Sequence, residues 1–227
     1  MDLQNWVPPD LPSRSVMKGR YVILEPLQPA HTGELWSAHA GHDDIWRYIP
    51  AGPFPDEDAL GNWVQSVCDA DDPLQFAVRT EDGRLGGTLS IMRVNPTAGS
   101  AEVGYIVFSP QLQRTRDATE AVYLTIKWAF EAGYRRFEWK CNARNLASRR
   151  AAERFGFSYE GVFRQAAIVK GQNRDTAWFA SIDGEWPALK TAFETWLDPA
   201  NFDASGQQRQ SLSELTKPIL VTRDPSL

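Results

Sequence analysis

Two arginines stand where this sequence is suited to hold an anion. The segment Phe108-Ser-Pro-Gln-Leu-Gln-Arg-Thr-Arg-Asp-Ala-Thr-Glu-Ala121 carries the chain from a strand-like run into a helix-like one. A helix N-terminus presents unpaired N–H groups and the positive end of the helix dipole. That combination suits a phosphate or pyrophosphate. Arg114 and Arg116 would add two guanidinium groups to those donors. The plain alternative is a solvated loop before a helix that starts at Asp117. The three histidines, His31, His39 and His42, also lie close together. His39-x-x-His42 would be half a metal site on a helix. Gly41 between them ends the helix and no cysteine is near, so surface histidines are the preferred reading and no metal is expected. No Gly-x-Ser-x-Gly elbow or P-loop lysine occurs, and Gly83-x-x-Gly86-Gly87 has the wrong spacing for a dinucleotide fingerprint.

The elements that must position these residues follow from pattern. Residues 21–24 read as a first strand. Residues 29–40 read as a surface helix with Leu35 and Trp36 on its apolar side. Residues 42–54 are an aromatic loop. Residues 56–70 form a second helix, with Leu60, Trp63, Val64 and Val67 at helical spacing. Residues 74–80 and 86–94 flank Asp82-Gly83 as a hairpin. A strand over 101–108 leads to a helix over 117–132, capped by Gly133. In the strand 136–141, Phe137, Trp139 and Cys141 alternate with charged residues. A helix over 144–155 closes at Gly156. Two strands, 158–164 and 177–183, have a loop over 170–176 before the second. Trp186, Leu189, Phe193 and Trp196 mark one side of a last helix. The order is β-α-α-β-β-β-α-β-α-β-β-α. Its second half is an α/β unit, and the hairpin before it makes the sheet mixed. Three regions are expected: a Pro-rich irregular arm over 1–19, one domain over 20–197, and a polar, loosely held tail over 198–227, apart from Ile219-Leu220-Val221.

Composition narrows the class. The 227 residues carry 24 Lys+Arg against 29 Asp+Glu, a net charge of −5. The acidic balance argues against a nucleic-acid partner, which needs a basic face. No apolar run approaches the roughly 18–20 residues of a membrane span. The first 20 residues lack the basic start and apolar core of a signal peptide. Cys68 and Cys141 fit no disulfide or metal framework, so a cytoplasmic protein with reduced thiols is expected.

The second half also carries a resemblance. Gln113-x-x-Arg116-x-Ala118 resembles the Q/R-x-x-G-x-G/A pyrophosphate motif of the GNAT superfamily, the Gcn5-related N-acetyltransferases. Ala118-Thr119-Glu120-Ala121, residues 135–141, Asn145-Leu-Ala-Ser148 and Gly156-Phe157-Ser-Tyr-Glu160-Gly161 are similar to the RimJ/RimL-type branch of ribosomal-protein N-terminal acetyltransferases. Arg174-Asp175 stands where that branch often carries acidic residues. The resemblance implies an α/β fold (α+β mixed) with a central, mostly antiparallel sheet and helices on both faces. Two parallel strands, 101–108 and 136–141, would splay apart to hold acetyl-CoA. Its pantetheine would pair with the backbone of Ile106, Val107 and Phe108. Its pyrophosphate would meet Gln113, Arg114, Thr115, Arg116, Asp117, Ala118 and Thr119. Asn145 would bond the pantetheine and Ser148 would lie near the sulfur. Arg116 stands where the motif has glycine, a change that helical dihedrals at that position would tolerate.

Acetyl transfer to a primary amine, of a small molecule or a protein N-terminus, needs a neutral amine, a donor for the developing oxyanion and a proton for the thiolate. The resemblance offers an amide near Val107 as oxyanion donor and Ser148 as acid. Equally, Asn145 caps a helix of which Ser148 is the third residue. The carboxylate that RimL-like chains carry after Arg164-Gln165-Ala166 is Ala167 here. Glu102 and Asp175 are the substitutes for a base acting through water, or else ordinary ion-pair partners. Trp46, Tyr48 and Phe54 would line the acceptor wall by apolar and cation–π contact, or would simply pin their own loop. The alternative function is a non-catalytic acyl-CoA-binding or sensing module. The tail and aromatic loops would permit a homodimer. Of the nine tryptophans, Trp128, Trp139, Trp178, Trp186 and Trp196 are expected in packing and Trp36, Trp46 and Trp63 near the acceptor wall, while Trp6 has no assigned role.

Overall fold

Eight strands form one sheet in the computed structural model, which describes residues 3–227. The strands are β1 (Met17–Lys18), β2 (Val22–Pro26), β3 (Leu74–Thr80), β4 (Leu85–Asn95), β5 (Ser100–Phe108), β6 (Arg136–Asn142), β7 (Ser158–Val169) and β8 (Gln172–Ile182). They lie in the order β1-β2-β3-β4-β5-β6-β8-β7. The helices are α1 (Thr32–His39), α2 (Glu57–Val67), α3 (Arg116–Glu131), α4 (Leu146–Arg154), α5 (Trp186–Leu197) and α6 (Leu212–Thr216). Every pairing is antiparallel except β5 with β6. Those two are joined through α3, as a parallel pair requires a long crossover.

Helices cover both faces, and β3 shows how. Leu74, Phe76 and Val78 point into a large core shared with α3, α4 and α5, while Ala77 between them points into a smaller core with Leu35 of α1 and Leu60 and Val64 of α2. Alternation along a strand sends successive side chains to opposite faces. The large core is strongly aromatic: Phe76, Phe137, Phe157, Phe179, Phe193 and Tyr134 are fully buried.

The feature that matters for a site is where pairing stops. Ser100 to Val103 of β5 pair with Arg136 to Trp139 of β6, and then the two strands part. On the other edge of β5 the register with β4 slips between Thr88 and Ser90, and Tyr105 sits at φ +47°. A bulge of this kind bends the strand that carries it. β5 therefore turns away from β6 and leaves a gap through the sheet.

Three expectations need correction. β7 and β8 are longer than the pattern suggests and meet near Lys170-Gly171, so Asp175 lies in a strand and not a loop. The exposed half of this hairpin lacks a buried face, so its residues show no apolar alternation. The arm before residue 20 is not wholly irregular, since β1 pairs with β2. Its Trp6 packs against Gly99 and the Arg135 guanidinium, at 5.7 Å. The tail is not loosely held. Leu212, Thr216 and Asp224 are buried, whereas Val221 is exposed. Arg149 of α4 grips Asp224 through two hydrogen bonds of 2.6 Å, and Thr216 Oγ1 donates to the Arg154 carbonyl. The tail is polar because its partners on α4 are charged.

Candidate active site

A cavity of about 960 Å³ occupies the gap between β5 and β6. It passes through the sheet. In β6, Trp139 and Cys141 line it on the helix side, and Lys140 and Asn142 line it on the other.

The helix end is made from the start of α3 and one face of α4. Thr115 is the N-cap of α3 and its side chain accepts from the Ala118 amide at 3.1 Å. The Arg114 and Arg116 amides have no acceptor among the described residues. Arg114 occupies the left-handed region at φ +64°, whereas Arg116 is already helical. The position that departs from the family's glycine therefore needs no glycine. The Arg116 guanidinium lies between the rings of Tyr21 and Phe202, 4.7 and 4.8 Å from their centres.

On α4, Ala147, Ser148, Ala151, Arg154 and Phe155 all face the cavity, at the spacing of a single helical stripe. Asn145 caps the helix and accepts from the Ser148 amide at 3.2 Å. The Ser148 hydroxyl accepts from Trp139 Nε1 at 3.0 Å and is within hydrogen-bonding reach of the Cys141 thiol. Burial pushes that thiol up to about 11, so it stays protonated. Arg154 donates to Thr119 Oγ1 at 3.2 Å, stacks on Trp196 at 5.0 Å, and has no carboxylate partner among the described residues. Burial alone pulls it down to about 10. No carboxylate among the described residues offsets its charge.

The far end is built from loops and strand faces. Tyr48 lines it, with Oη donating to the Arg144 carbonyl at 3.4 Å. Glu102 lines it at 2% exposure. Both its oxygens accept from Arg93 at 2.8 Å, and Lys140 lies 3.0 Å away. The Lys140 ammonium also sits 3.8 Å from the Trp178 ring centre.

Most of the residues expected at the site are therefore brought together. Ile106, Phe108, Gln113, Arg114, Thr115, Arg116, Ala118, Thr119, Asn145, Ser148, Glu102 and Tyr48 all border the one cavity. Five do not. Val107 is buried on β5 and pairs with Thr88. Asp117 turns to the backbone of Glu81, with burial raising its carboxyl. Asp175 lies outside the cavity, where the Gln165 amide and Asn173 hold its carboxyl below the usual range. Trp46 is buried against His39, Phe54 and Trp63, at 5.1 to 5.9 Å between ring centres. Phe54 belongs to the same cluster. These aromatics brace the loop from behind and leave its front to Ile45, Tyr48 and Ile49. No group of metal-ligating side chains occurs among the described residues; His39 is buried and pushed down to about 4.

Sequence reasoning missed Arg154, Arg93, Arg174 and the tail residues Phe202, Gln207 and Gln208, which also line the cavity. The α4 stripe was available as a signal: Arg154 follows Ala147 by seven residues and Ala151 by three. The others depend on contacts between distant segments and left no local sign.

Comparison with known proteins agrees with this geometry. The family profile described as Acetyltransferase (GNAT) domain matches residues 22–158, more than half of the chain. A GCN5-related N-acetyltransferase from Brucella melitensis superposes with a TM-score of 0.93 at 44% identity, over 95% of this chain and 100% of that one. A probable GNAT-family acetyltransferase from Chromobacterium violaceum gives 0.78 at 43% identity, over 83% and 96%. The probable N-acetyltransferase YjcK of Bacillus subtilis is 33% identical over 166 residues, covering 69% of this chain and 91% of its own. With the splayed strands and the profile match together, the chain belongs to the GNAT family of N-acetyltransferases.

Proposed function

We propose that the protein moves an acetyl group from acetyl-CoA directly to a primary amine held at the far end of the cavity. The observation that carries this reading is the through-sheet cavity itself. Its helix end offers two unpaired amides and the unpaired Arg154 cation, which suit the phosphates of the donor, and its other end opens beside Tyr48. Acetyl-CoA supplies an activated thioester.

The chain's own residues have three tasks. The edge of β5 beyond Val103 faces no strand on the β6 side, so the Ile106–Phe108 backbone is free to align an extended arm. Backbone N–H groups on that edge oppose the charge that builds on the carbonyl oxygen. Ser148 accepts from Trp139, which leaves its own proton to give. As the amine nitrogen forms its bond to the carbonyl carbon, the C–S bond breaks and the Ser148 proton goes to the departing sulfur. The amine's surplus proton passes through solvent and restores the Ser148 hydroxyl, so the serine ends the cycle as it began. Glu102 is held by two cations and fixes Arg93 and Lys140 in place; the neutral amine is selected from solution.

Calorimetry with acetyl-CoA, followed by a thiol-release assay over a panel of amines, tests the reading. Tight donor binding with amine-dependent thiol release is expected. Tight binding without release for any amine would establish a non-catalytic binding module instead.

A further inference from the structure

The far end of the cavity holds a cation that no described residue answers. Arg174 of β8 lines the cavity. Its Nε is buried without a hydrogen-bond partner, and its guanidinium makes no hydrogen bond or ion pair among the described residues. The side chain is half-buried, and a buried N–H left unpaired costs free energy that a ligand's acceptor would recover. The carboxylates of β5, β6 and β8 are committed elsewhere. Glu102 is taken by Arg93 and Lys140, Glu138 by Lys140 and Arg136, and Asp175 by Gln165 and Asn173. Asp44, on the exposed opposite loop, is the other carboxylate of this cavity, and it has no ion pair among the described residues.

The aromatic loop is anchored beside the same end. Lys170, at the tip of the β7–β8 hairpin, donates to the Trp46 carbonyl at 2.9 Å, and Tyr48 reaches Arg144 from the same loop. The first contact ties the hairpin to the aromatic loop, and the second ties that loop to the connection between β6 and α4. The cavity of about 960 Å³ must also take the donor's arm, and the space left at this end suits a small acceptor better than the terminus of a folded protein.

We propose that the acceptor is a small amino acid-like molecule, a primary amine with a carboxylate a few bonds away, and that Arg174 is the residue that holds the carboxylate. Guanidinium is the side chain whose fork matches a carboxylate with two parallel bonds. Fixing the carboxylate orients the nitrogen toward the gap between β5 and β6, where the thioester carbonyl stands in the proposed transfer. The assignment rests on that transfer reading.

The experiment compares acceptors in matched pairs, each amino acid against its own carboxamide, by thiol release from acetyl-CoA. A charge-assisted pair of hydrogen bonds predicts at least about a tenfold higher kcat/KM for the carboxylate. In Arg174→Met that ratio should fall to near one while the acetyl-CoA Kd stays the same. Arg174→Lys should keep part of the preference, because it retains charge without the fork. Equal or better use of the carboxamides by the unaltered protein, or an unchanged ratio in Arg174→Met, would overturn the assignment. A binding arm separates this from failure of the transfer reading. The N-acetylated amino acid and its carboxamide are titrated into the CoA-loaded protein, with no turnover needed. Preference for the carboxylate that disappears in Arg174→Met supports the site even if no amine releases thiol. No preference overturns it.

Discussion

At the helix end of the cavity the binding groups are backbone amides and one stripe of α4; at the far end they are side chains from the aromatic loop, β4, β5, β6 and β8. The first arrangement is made by local structure. A helix that starts at Arg116 has free amides whatever its neighbours are, and a stripe at helical spacing faces one way. The second arrangement exists only after the sheet has formed, because Arg93, Glu102 and Lys140 meet across three strands. A donor common to a family can be met by the first kind of construction. An acceptor that differs from protein to protein is met by the second, where one side chain can change without moving a helix.

That contrast can be broken most severely at α4. Its free stripe is steady because its back is clamped to the tail through Arg149 and Asp224. Asp224→Asn leaves the buried Arg149 charge uncompensated, at a cost of about 3–5 kcal/mol. For a chain of this length the melting temperature should fall on the order of 10 °C. Replacing both residues together, as Arg149→Met with Asp224→Leu, should recover most of the loss. A single variant that melts within about 2 °C of the parent would show that the tail does not hold α4.

The far end should break with acid instead. His39 is neutral, buried behind the aromatic loop, and pushed down to about 4 from an ordinary 6.5, by burial first and by His42 second. The unfolded chain therefore takes up a proton between those values that the folded protein does not. Stability is complete above pH 6.5 and declines as pH falls toward 4, by about 3 kcal/mol. His39→Leu should flatten this window in denaturant titrations at pH 4.5 and 7. An equally steep decline in that variant would remove His39 as the cause.

Donor affinity sharpens the comparison next. Arg154→Met should weaken acetyl-CoA binding by about 10- to 100-fold, the worth of hydrogen bonds to a charged group. It should change the melting temperature little, because the lost Thr119 hydrogen bond is offset by removal of a buried charge that has no ion pair among the described residues. Loss of stability without loss of affinity would make Arg154 a packing residue on Trp196.

These differences also explain what could be read from the sequence. The strand-to-helix segment 108–121, the separate strands β5 and β6 and the Asn145 cap are legible because each is set by residues a few positions apart. The aromatic loop was legible as aromatic but not in its direction. Trp46 and Phe54 turn inward because His39 and Trp63, from the two flanking helices, offer them an apolar site. Tyr48 stays at the front, where its hydroxyl finds Arg144. The tail was misread for a related reason. Its polarity resembles that of a solvated segment, and only the fold reveals that Asp224 meets Arg149 across 75 residues.

Ser148 belongs to both constructions, and that makes it the finest test. Its amide is fixed by the Asn145 cap, a local feature, while its hydroxyl accepts from Trp139 across the gap from β6. If the hydroxyl only serves packing, Ser148→Ala strands the Trp139 N–H and costs stability of about 1–2 kcal/mol, with turnover falling only as far as folding does. If the hydroxyl supplies the proton to sulfur, Ser148→Ala lowers kcat by about tenfold to a hundredfold and leaves the acetyl-CoA Kd within about twofold. The loss should also shrink for thioesters with more acidic thiols, because a better leaving group has less need of the proton. The slope of rate against leaving-group pKa in the two proteins therefore separates chemistry from packing, which a single rate could not.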